Sequence, residues 1–261
     1  MIPKIYFLEE YNLEPVLNKK QPYRFETTTI DFSNKNYFEQ KSLIREVRFT
    51  YYGKRKELFV FKAFISKVMM FFNQKEQDDK LLREDVFAFG NLELGINGKG
   101  EIAKVYNLRE AQHRWERRKL ELRKDNSGYE LDSFFNEISN ILDDETKMLF
   151  FLNSKNMYGL YFHGLFGKND INEAPKKRIA TILEFDDVTV IEKIWTDKRV
   201  PRFIIRAEED DGEFKSIISS NDVINRYEGE LIYNKENQLQ EGYLEIENEN
   251  INIKHSVVWV G

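Results

Sequence analysis

The chain has 261 residues and a formal net charge of −5, from 45 acidic and 40 basic residues. Hydrophobic residues make up 41% of the sequence and aromatic residues 14%, which excludes disorder for most of the chain because disordered segments lack such side chains. The charge balance gives no overall basic field, so nucleic acid is not expected as a partner. The absence of cysteine excludes disulfides, thiolate nucleophiles and cysteine-ligated metal sites.

Two segments bear on the location of the protein. The N-terminus, MIPKIYFLEEYNLEPV, has Glu9 and Glu10 where a secretory signal would need its apolar run. The most apolar segment, Leu58–Phe72, is interrupted by Lys62 and Lys67 and is shorter than the roughly 20 residues that span a bilayer. We therefore predict a soluble cytoplasmic protein without membrane contact. Its Lys-, Asn-, Ile- and Phe-rich composition is typical of bacteria with AT-rich genomes.

The first part of the chain, residues 1–106, is predicted to be mainly β. The segments YRFETTTIDF and IREVRFTYY carry the β-branched and aromatic residues that favour strands. The apolar positions of Leu58–Phe72 fit both a helical stripe and an alternating strand. We predict a strand there because the neighbouring segments are strands.

The segment GINGKG, residues 95–100, has the look of a phosphate-binding loop. A Walker A loop needs Ser or Thr after its lysine, whereas Lys99 is followed by Gly100. The segment EIAKVY after the loop alternates as a strand, so the helix of a dinucleotide-binding fingerprint is missing. Asn97-Gly98 favours a hairpin turn, since both residues tolerate positive φ. We predict a hairpin without a cofactor, in which Gly98→Ala costs about 1 kcal/mol or more.

The second part, residues 107–167, is predicted to be helical. Asn107 and Glu110 have the spacing of a capping box, and the helix that follows ends before DNSG. An amphipathic helix comes next, with its apolar face formed by Leu131, Phe134, Phe135, Ile138 and Leu142. Asp144 and Ser154 are placed to cap two further short helices, DETKMLFFLN and SKNMYGLYFHGLF.

The third part, residues 168–261, returns to β with seven candidate strands separated by short turns such as DDG, NKEN and NEN. Short connections make antiparallel neighbours. The predicted fold class is α+β, with mostly antiparallel sheet in the N- and C-terminal parts and a central helical segment. Either one large sheet or barrel wraps the helices, or the helices separate two β modules. The C-terminal HSVVWVG is predicted to be a strand that places Trp259 in the core.

The first predicted helix has a local excess of positive charge. Arg114, Arg117, Arg118 and Trp115 are the candidate binding face for an acidic protein partner. Several charges on this helix are spaced for internal ion pairs, and Trp115 also falls on the apolar stripe that would seat the helix on the sheet. A solvated helix with a structural tryptophan is therefore the alternative interpretation.

The titratable residues give no catalytic or metal-binding pattern. His113, His163 and His255 are scattered and lack the spacing of metal ligands. His255 is in phase with apolar positions of the last strand and is predicted to be a buried structural histidine. The acidic run EEDDG at 208–212 lacks the calcium-loop spacing. The remaining clustered carboxylates fall on solvated positions of predicted strands: Glu228, Glu230, Glu241, Glu245 and Glu247.

No resemblance to a known family emerges, and no catalytic, cofactor-binding or metal site is predicted. We predict a non-enzymatic protein-binding or accessory protein, for example of a bacterial secretion or toxin–immunity system. One alternative is a hydrolase using paired carboxylates, which requires a carboxyl group of raised pKa in a concave pocket. The other is a carrier of an apolar ligand, with a cavity lined by Met69, Met70, Phe71 and Phe72.

Overall fold

Antiparallel strands from both ends of the chain combine in one large sheet. The computed structural model describes residues 10–34, 37–77, 88–125, 127–154, 158–182, 185, 188–196, 201–208 and 224–261. Within these residues the strands are β1 Glu10–Asn12, β2 Lys20–Asp31, β3 Glu39–Arg55, β4 Leu58–Phe72, β5 Lys75–Gln77, β6 Asn91–Ile96, β7 Ile102–Val105, β8 Lys168–Asp170, β9 Lys176–Ile182, β10 Val188–Thr196, β11 Arg202–Glu208, β12 Arg226–Tyr233, β13 Leu239–Glu247 and β14 Ile251–Trp259.

The strand order of the large sheet is β7-β6-β4-β3-β2-β14-β13-β12-β11-β10-β9, and β5 pairs with β4 beside this path. All of its pairings are antiparallel, and β1 and β8 form a small separate sheet. The antiparallel α+β prediction is consistent with this architecture. The N-terminal and C-terminal strands share one sheet because β14 pairs with β2 along its whole length. The predicted strand Leu58–Phe72 is confirmed as β4.

Three α-helices follow β7: α1 Leu108–Asp125, α2 Tyr129–Asp143 and α3 Glu145–Ser154. The predicted cap of α3 is confirmed, since the Asp144 carboxylate accepts the backbone N–H groups of Thr146 and Lys147. The predicted capping box of α1 is wrong. The Asn107 side chain instead accepts from the Glu93 backbone N–H, at 2.8 Å, and so ties the start of α1 to β6.

The predicted helix SKNMYGLYFHGLF is also wrong over its described residues. Residues 158–167 form a series of turns, which we call the aromatic turn segment. Its rings pack against the inner face of the sheet: Tyr161 stacks on Phe49 with centroids 4.1 Å apart, and Phe162 packs edge-on against the same ring. Burial of these large rings outweighs the helical pattern of the sequence, because each aromatic side chain removes a large apolar area from water.

The residues proposed to line a carrier cavity point in opposite directions. Successive side chains of a strand alternate between the two faces of its sheet. Met70 of β4 lies beside Leu43 of β3, and Met69 lies beside Ile44 on the other face. Phe71 and Phe72 continue this alternation. The four residues therefore cannot line one cavity together, which corrects the site proposed for the carrier.

The C-terminal strand is central rather than peripheral. β14 lies between β13 and β2, and its Val257 is fully buried. Trp259 is partly buried and packs against the hydrophobic core, as predicted. None of the described helices is long and apolar enough to cross a bilayer.

Candidate functional site: a cleft between the two edges of the sheet

The two edge strands of the large sheet border the same cleft. Its volume is about 230 Å³. Its walls come from the GINGKG loop, the end of α3, the aromatic turn segment and β9, through the residues Lys99, Gly100, Glu101, Ile102, Phe150, Leu152, Asn153, Tyr158, Gly159, Phe162, Arg178, Ile179 and Ala180. The sheet is therefore curved so far that β7 and β9, its first and last strands, approach opposite sides of one site.

The GINGKG loop forms one wall of the cleft and is a hairpin turn, as predicted. Asn97 closes the turn, since its side-chain carbonyl accepts the backbone N–H groups of Lys99 and Glu101. The glycine requirement was assigned to the wrong residue. Gly100 has φ +85°, and a Cβ there would lie 2.1 Å from the Phe162 carbonyl oxygen, whereas a Cβ on Gly98 would meet no atom within 4 Å.

The outer edge of β7 is closed by side chains of α3. Asn153 donates to the Ile102 carbonyl oxygen and accepts from the Ile102 N–H, at 3.0 and 2.9 Å. Glu145 accepts from the Val105 N–H at 3.2 Å and from Lys104 Nζ at 2.8 Å. Two side chains thus replace the hydrogen bonds that a neighbouring strand would make.

The outer edge of β9 is open in the described part of the chain. β9 pairs with β10 along Lys176–Ile182, and the backbone of Lys177–Ile182 makes no other hydrogen bond there. Unpaired backbone groups at a sheet edge are a template for pairing with another chain. Since Arg178, Ile179 and Ala180 also line the cleft, the open edge and the cleft form one continuous surface.

A buried ionic cluster anchors the inner face of β9 to β10. Glu192 of β10 is fully buried, contacts Arg178 of β9 as an ion pair and lies 3.3 Å from Nε2 of His163. The Tyr227 hydroxyl donates to its other carboxylate oxygen. Burial alone would raise the pKa of Glu192, but the Arg178 charge and the hydrogen bonds donated to the carboxylate outweigh burial and hold the pKa well below its usual range. The cluster therefore fixes Arg178 beneath the cleft.

The mouth of the cleft carries apolar side chains that are unusually exposed. Phe150 of α3 is 70% exposed and Ile179 of β9 is 71% exposed. Lys99 and Glu101 give the cleft one charge of each sign, and the charge of Arg178 is paired with Glu192. The site can accordingly bind an apolar side chain.

The predicted binding face on α1 contains both buried and exposed side chains. Trp115 is only 2% exposed, packs against Phe134 and Phe135, and donates to Ser139. Arg114 donates to the Asn91 carbonyl oxygen, Arg118 pairs with Glu121, and Arg117 is exposed. These contacts assign a structural role to Trp115. The proposal that the arginines bind a partner stays a prediction.

The titratable residues do not assemble as the hydrolase alternative requires. Of the described carboxyl groups whose pKa shifts, the shift is downward in each: Asp31, Asp144, Glu145, Glu192 and Glu245. Among the described residues no group of three or more His, Asp and Glu side chains could hold a metal ion. His255 is buried, as predicted, and its Nδ1 lies 3.1 Å from Thr27 Oγ1. The acidic run at 208–212 lies largely outside the described residues.

The sequence interpretation overlooked both the ionic cluster and the open edge. The cluster has a weak signal, because Val190, Glu192 and Ile194 alternate with outward positions and so place a carboxylate on the inner face. The open edge has no local signal, since strand order depends on pairings between distant segments.

No family model matches the sequence, and no curated protein matches it either. Among solved structures, one of lipovitellin that concerns its lipid-protein interactions aligns with a TM-score of 0.45 and 10% identity over 95% of this chain and 26% of the lipovitellin chain. An outer membrane lipoprotein-sorting protein domain from Vibrio parahaemolyticus aligns with a TM-score of 0.19 and 8% identity over 92% of this chain and 85% of that domain. These weak structural neighbours are proteins of lipid binding and lipoprotein sorting. With both TM-scores below 0.5, the likeness carries no conclusion about this chain.

Proposed function

We propose that the chain is a binding protein that holds an extended segment of a partner protein by adding it as a strand to β9. The observation that carries this proposal is the open edge of β9 beside a cleft, on a sheet whose other edge is closed. Strand addition takes its affinity from backbone hydrogen bonds and its specificity from pockets for alternate side chains. The β9 edge and the cleft offer these two elements side by side.

The charge distribution along β9 favours specific pairing over nonspecific pairing at this edge. Lys177 is an exposed charge at the beginning of the strand, and lysines on an edge strand disfavour uncontrolled pairing. Ile179 and Ala180 are uncharged and line the cleft. We therefore place the partner strand along the second half of β9.

The side chains at the cleft define the partner segment further. Phe150 and Ile179 frame the mouth, and Leu152 and Phe162 lie deeper in the wall. An apolar side chain of the partner would cover surface that is otherwise exposed to water, at a gain of about 25 cal/mol per Å² of apolar area. The segment we propose is extended, with at least one bulky apolar residue directed into the cleft. Bacterial origin and cytoplasmic location stay proposals from composition.

The proposal is tested by crosslinking from the cleft. A photoreactive phenylalanine replaces Phe150 in the native host, and a matched probe replaces Leu120, which is 67% exposed on α1. We expect one protein to be captured from position 150 and not from position 120. Hydrogen exchange on the purified complex should then show slower exchange of the β9 amides, which a new strand would protect.

Two substitutions decide where the captured protein binds. Ile179→Asp should weaken binding at least tenfold, whereas Ile204→Asp, at an exposed position of β11 away from the cleft, should leave it unchanged. Equal binding to wild type and Ile179→Asp would disprove the strand-addition proposal. Loss of binding on Arg117→Glu instead would assign the partner to the α1 face. A small apolar molecule that copurifies and competes at position 150 would favour the carrier alternative.

A further inference from the structure

Arg45 is a charged side chain placed inside the curved sheet. It is 4% exposed and alternates with Val47 and Phe49, whose side chains are fully buried on the inner face. Its neighbours across the sheet are Phe25 of β2 and Val68 of β4. The Arg45 side chain thus lies on an inner face whose strand neighbours are apolar.

This guanidinium has no partner in the described part of the chain. Among the described residues, its buried Nε lacks a hydrogen-bond acceptor. Other shielded arginines are compensated: Arg178 contacts Glu192, and Arg114 donates to the Asn91 carbonyl oxygen. Burial lowers the pKa of Arg45, yet arginine stays protonated in proteins, so a full charge is retained. A buried donor of a charged group that lacks an acceptor is unfavourable, and this indicates a missing partner.

A second unsatisfied donor lies near it. The Tyr158 hydroxyl is buried and has no hydrogen-bond partner in the described chain. The Tyr158 ring packs against Phe25, which is the cross-strand neighbour of Arg45. Burial and the charge of Arg45 lower the pKa of His255 to about 4, so this imidazole is neutral at pH 7 and adds no second cation. The local charge is therefore a single positive one, with a hydroxyl donor beside it.

We propose that Arg45 and Tyr158 form a buried binding site for the carboxylate of an apolar monocarboxylate such as a long-chain fatty acid. A carboxylate accepts hydrogen bonds from a guanidinium and a hydroxyl at once and cancels one positive charge. A dianion such as phosphate would leave one charge uncompensated in an apolar site. The ligand therefore carries a single negative charge.

The apolar body of the ligand follows from the residues beside Arg45. Leu43, Val68 and Met70 share the inner face with Arg45 and are only half-buried. They extend from Arg45 toward the open end of the β3–β4 hairpin, away from the turn that joins the two strands. An alkyl chain lying along them would cover this apolar surface while its carboxylate pairs with Arg45. Tyr158 also lines the cleft beside β9, so the two sites adjoin. The carboxylate site nevertheless does not depend on the partner protein proposed there.

The test is a calorimetric titration of the full chain with three probes below their micelle concentration: dodecanoate, methyl dodecanoate and acetate. We expect dodecanoate to bind at least tenfold more tightly than the methyl ester, which lacks the charge, and acetate, which lacks the chain, to show no binding. Arg45→Met should abolish this discrimination and should raise the melting temperature of the ligand-free protein. Arg48→Met, on the same strand but exposed, should change neither.

Tyr158→Phe removes only the hydroxyl and keeps the ring packed against Phe49, so it tests the site even if Arg45→Met fails to fold. We expect dodecanoate binding to weaken about three- to tenfold in this variant. Absence of dodecanoate binding to wild type would overturn the proposal. Equal binding of dodecanoate and its methyl ester, or unchanged binding to Tyr158→Phe, would overturn it as well.

Discussion

The two edges of the large sheet differ in whether their outer backbone groups are hydrogen-bonded. β7 has its outer hydrogen-bonding groups taken by Asn153 and Glu145 of α3. β9 has its outer groups unpaired in the described residues, although an ionic cluster holds the strand firmly on its inner face. An edge that is rigid but open suits a binding site, because a partner strand meets a template that is already ordered.

The two edges illustrate different ways in which pairing at the edge of a sheet can be limited. One edge is sealed within the molecule by polar side chains at the end of a short helix. At the other edge, the exposed charge of Lys177 disfavours uncontrolled pairing near the start of β9. We therefore expect the sealed edge to contribute to stability and the open edge to contribute to binding. Substitutions at each edge can separate these roles.

The largest effect is expected at the ionic cluster that supports β9. Glu192→Gln should leave Arg178 buried beside a neutral amide and lower the free energy of unfolding by about 3–5 kcal/mol. Urea unfolding at pH 7 measures this loss. Glu121→Gln, which removes the exposed pair with Arg118, should cost only about 0–1 kcal/mol. Equal effects of the two substitutions would mean that the cluster does not hold the edge.

The same cluster predicts a pH dependence. The folded-state pKa of Glu192 lies below its unfolded value, so its stabilising contribution is complete above the unfolded pKa and is lost as pH falls through the acidic range. Wild-type stability should therefore decline in acid more steeply than that of Glu192→Gln. Parallel acid curves for the two proteins would contradict this assignment.

The next largest effect is expected in the loop that carries β7 to the cleft. Gly100→Ala places a Cβ against the Phe162 carbonyl oxygen at a positive φ, and should lower the free energy of unfolding by about 3 kcal/mol. Gly98→Ala is the matched control, and its effect should be within about 0.5 kcal/mol because no atom lies near the new methyl group. This reverses the expectation from the sequence. Chemical denaturation of both variants distinguishes the two assignments.

The β6–β7 hairpin shows which structural features could be predicted from the sequence and which could not. Asn97-Gly98 identified the turn, because turn residues act locally, but it could not show that Gly100 touches Gly164 and Phe162, which are more than sixty residues away. Strand Leu58–Phe72 followed from its neighbours, whereas residues 158–166 carry a helical pattern and form turns. Local sequence patterns predict most helices and strands, whereas tertiary contacts determine where a segment departs from its local pattern.

The candidate site was less accessible to sequence reasoning than the fold. Arg45 and Glu192 are single charges within alternating strands. The local sequence does not indicate that Glu192 has a counter-ion, whereas Arg45 has none among the described residues. The answer depends on which strands become neighbours: Arg178 of β9 lies beside Glu192, and Phe25 of β2 lies beside Arg45. Strand order is a global property, so the site could be located only once the pairings were known.

The smallest effect is expected at the sealed edge, and it tests the comparison most directly. Asn153→Ala removes both hydrogen bonds to Ile102 and should lower the free energy of unfolding by about 1–2 kcal/mol. Asn136→Ala, at an exposed position of α2, should have almost no effect. Hydrogen exchange should also become faster at the Ile102 amide in Asn153→Ala, because its acceptor is lost.

If sealing of β7 keeps the sheet from pairing with other chains, Asn153→Ala should also dimerise at high concentration. Sedimentation at several protein concentrations measures this association. The double variant Asn153→Ala, Ile179→Asp distinguishes the two edges: dimers through the opened β7 should persist, whereas dimers through β9 should be lost. A variant that loses the two hydrogen bonds but stays monomeric at all concentrations would show that the short β7 strand needs no protection, and that α3 serves only to build the wall of the cleft.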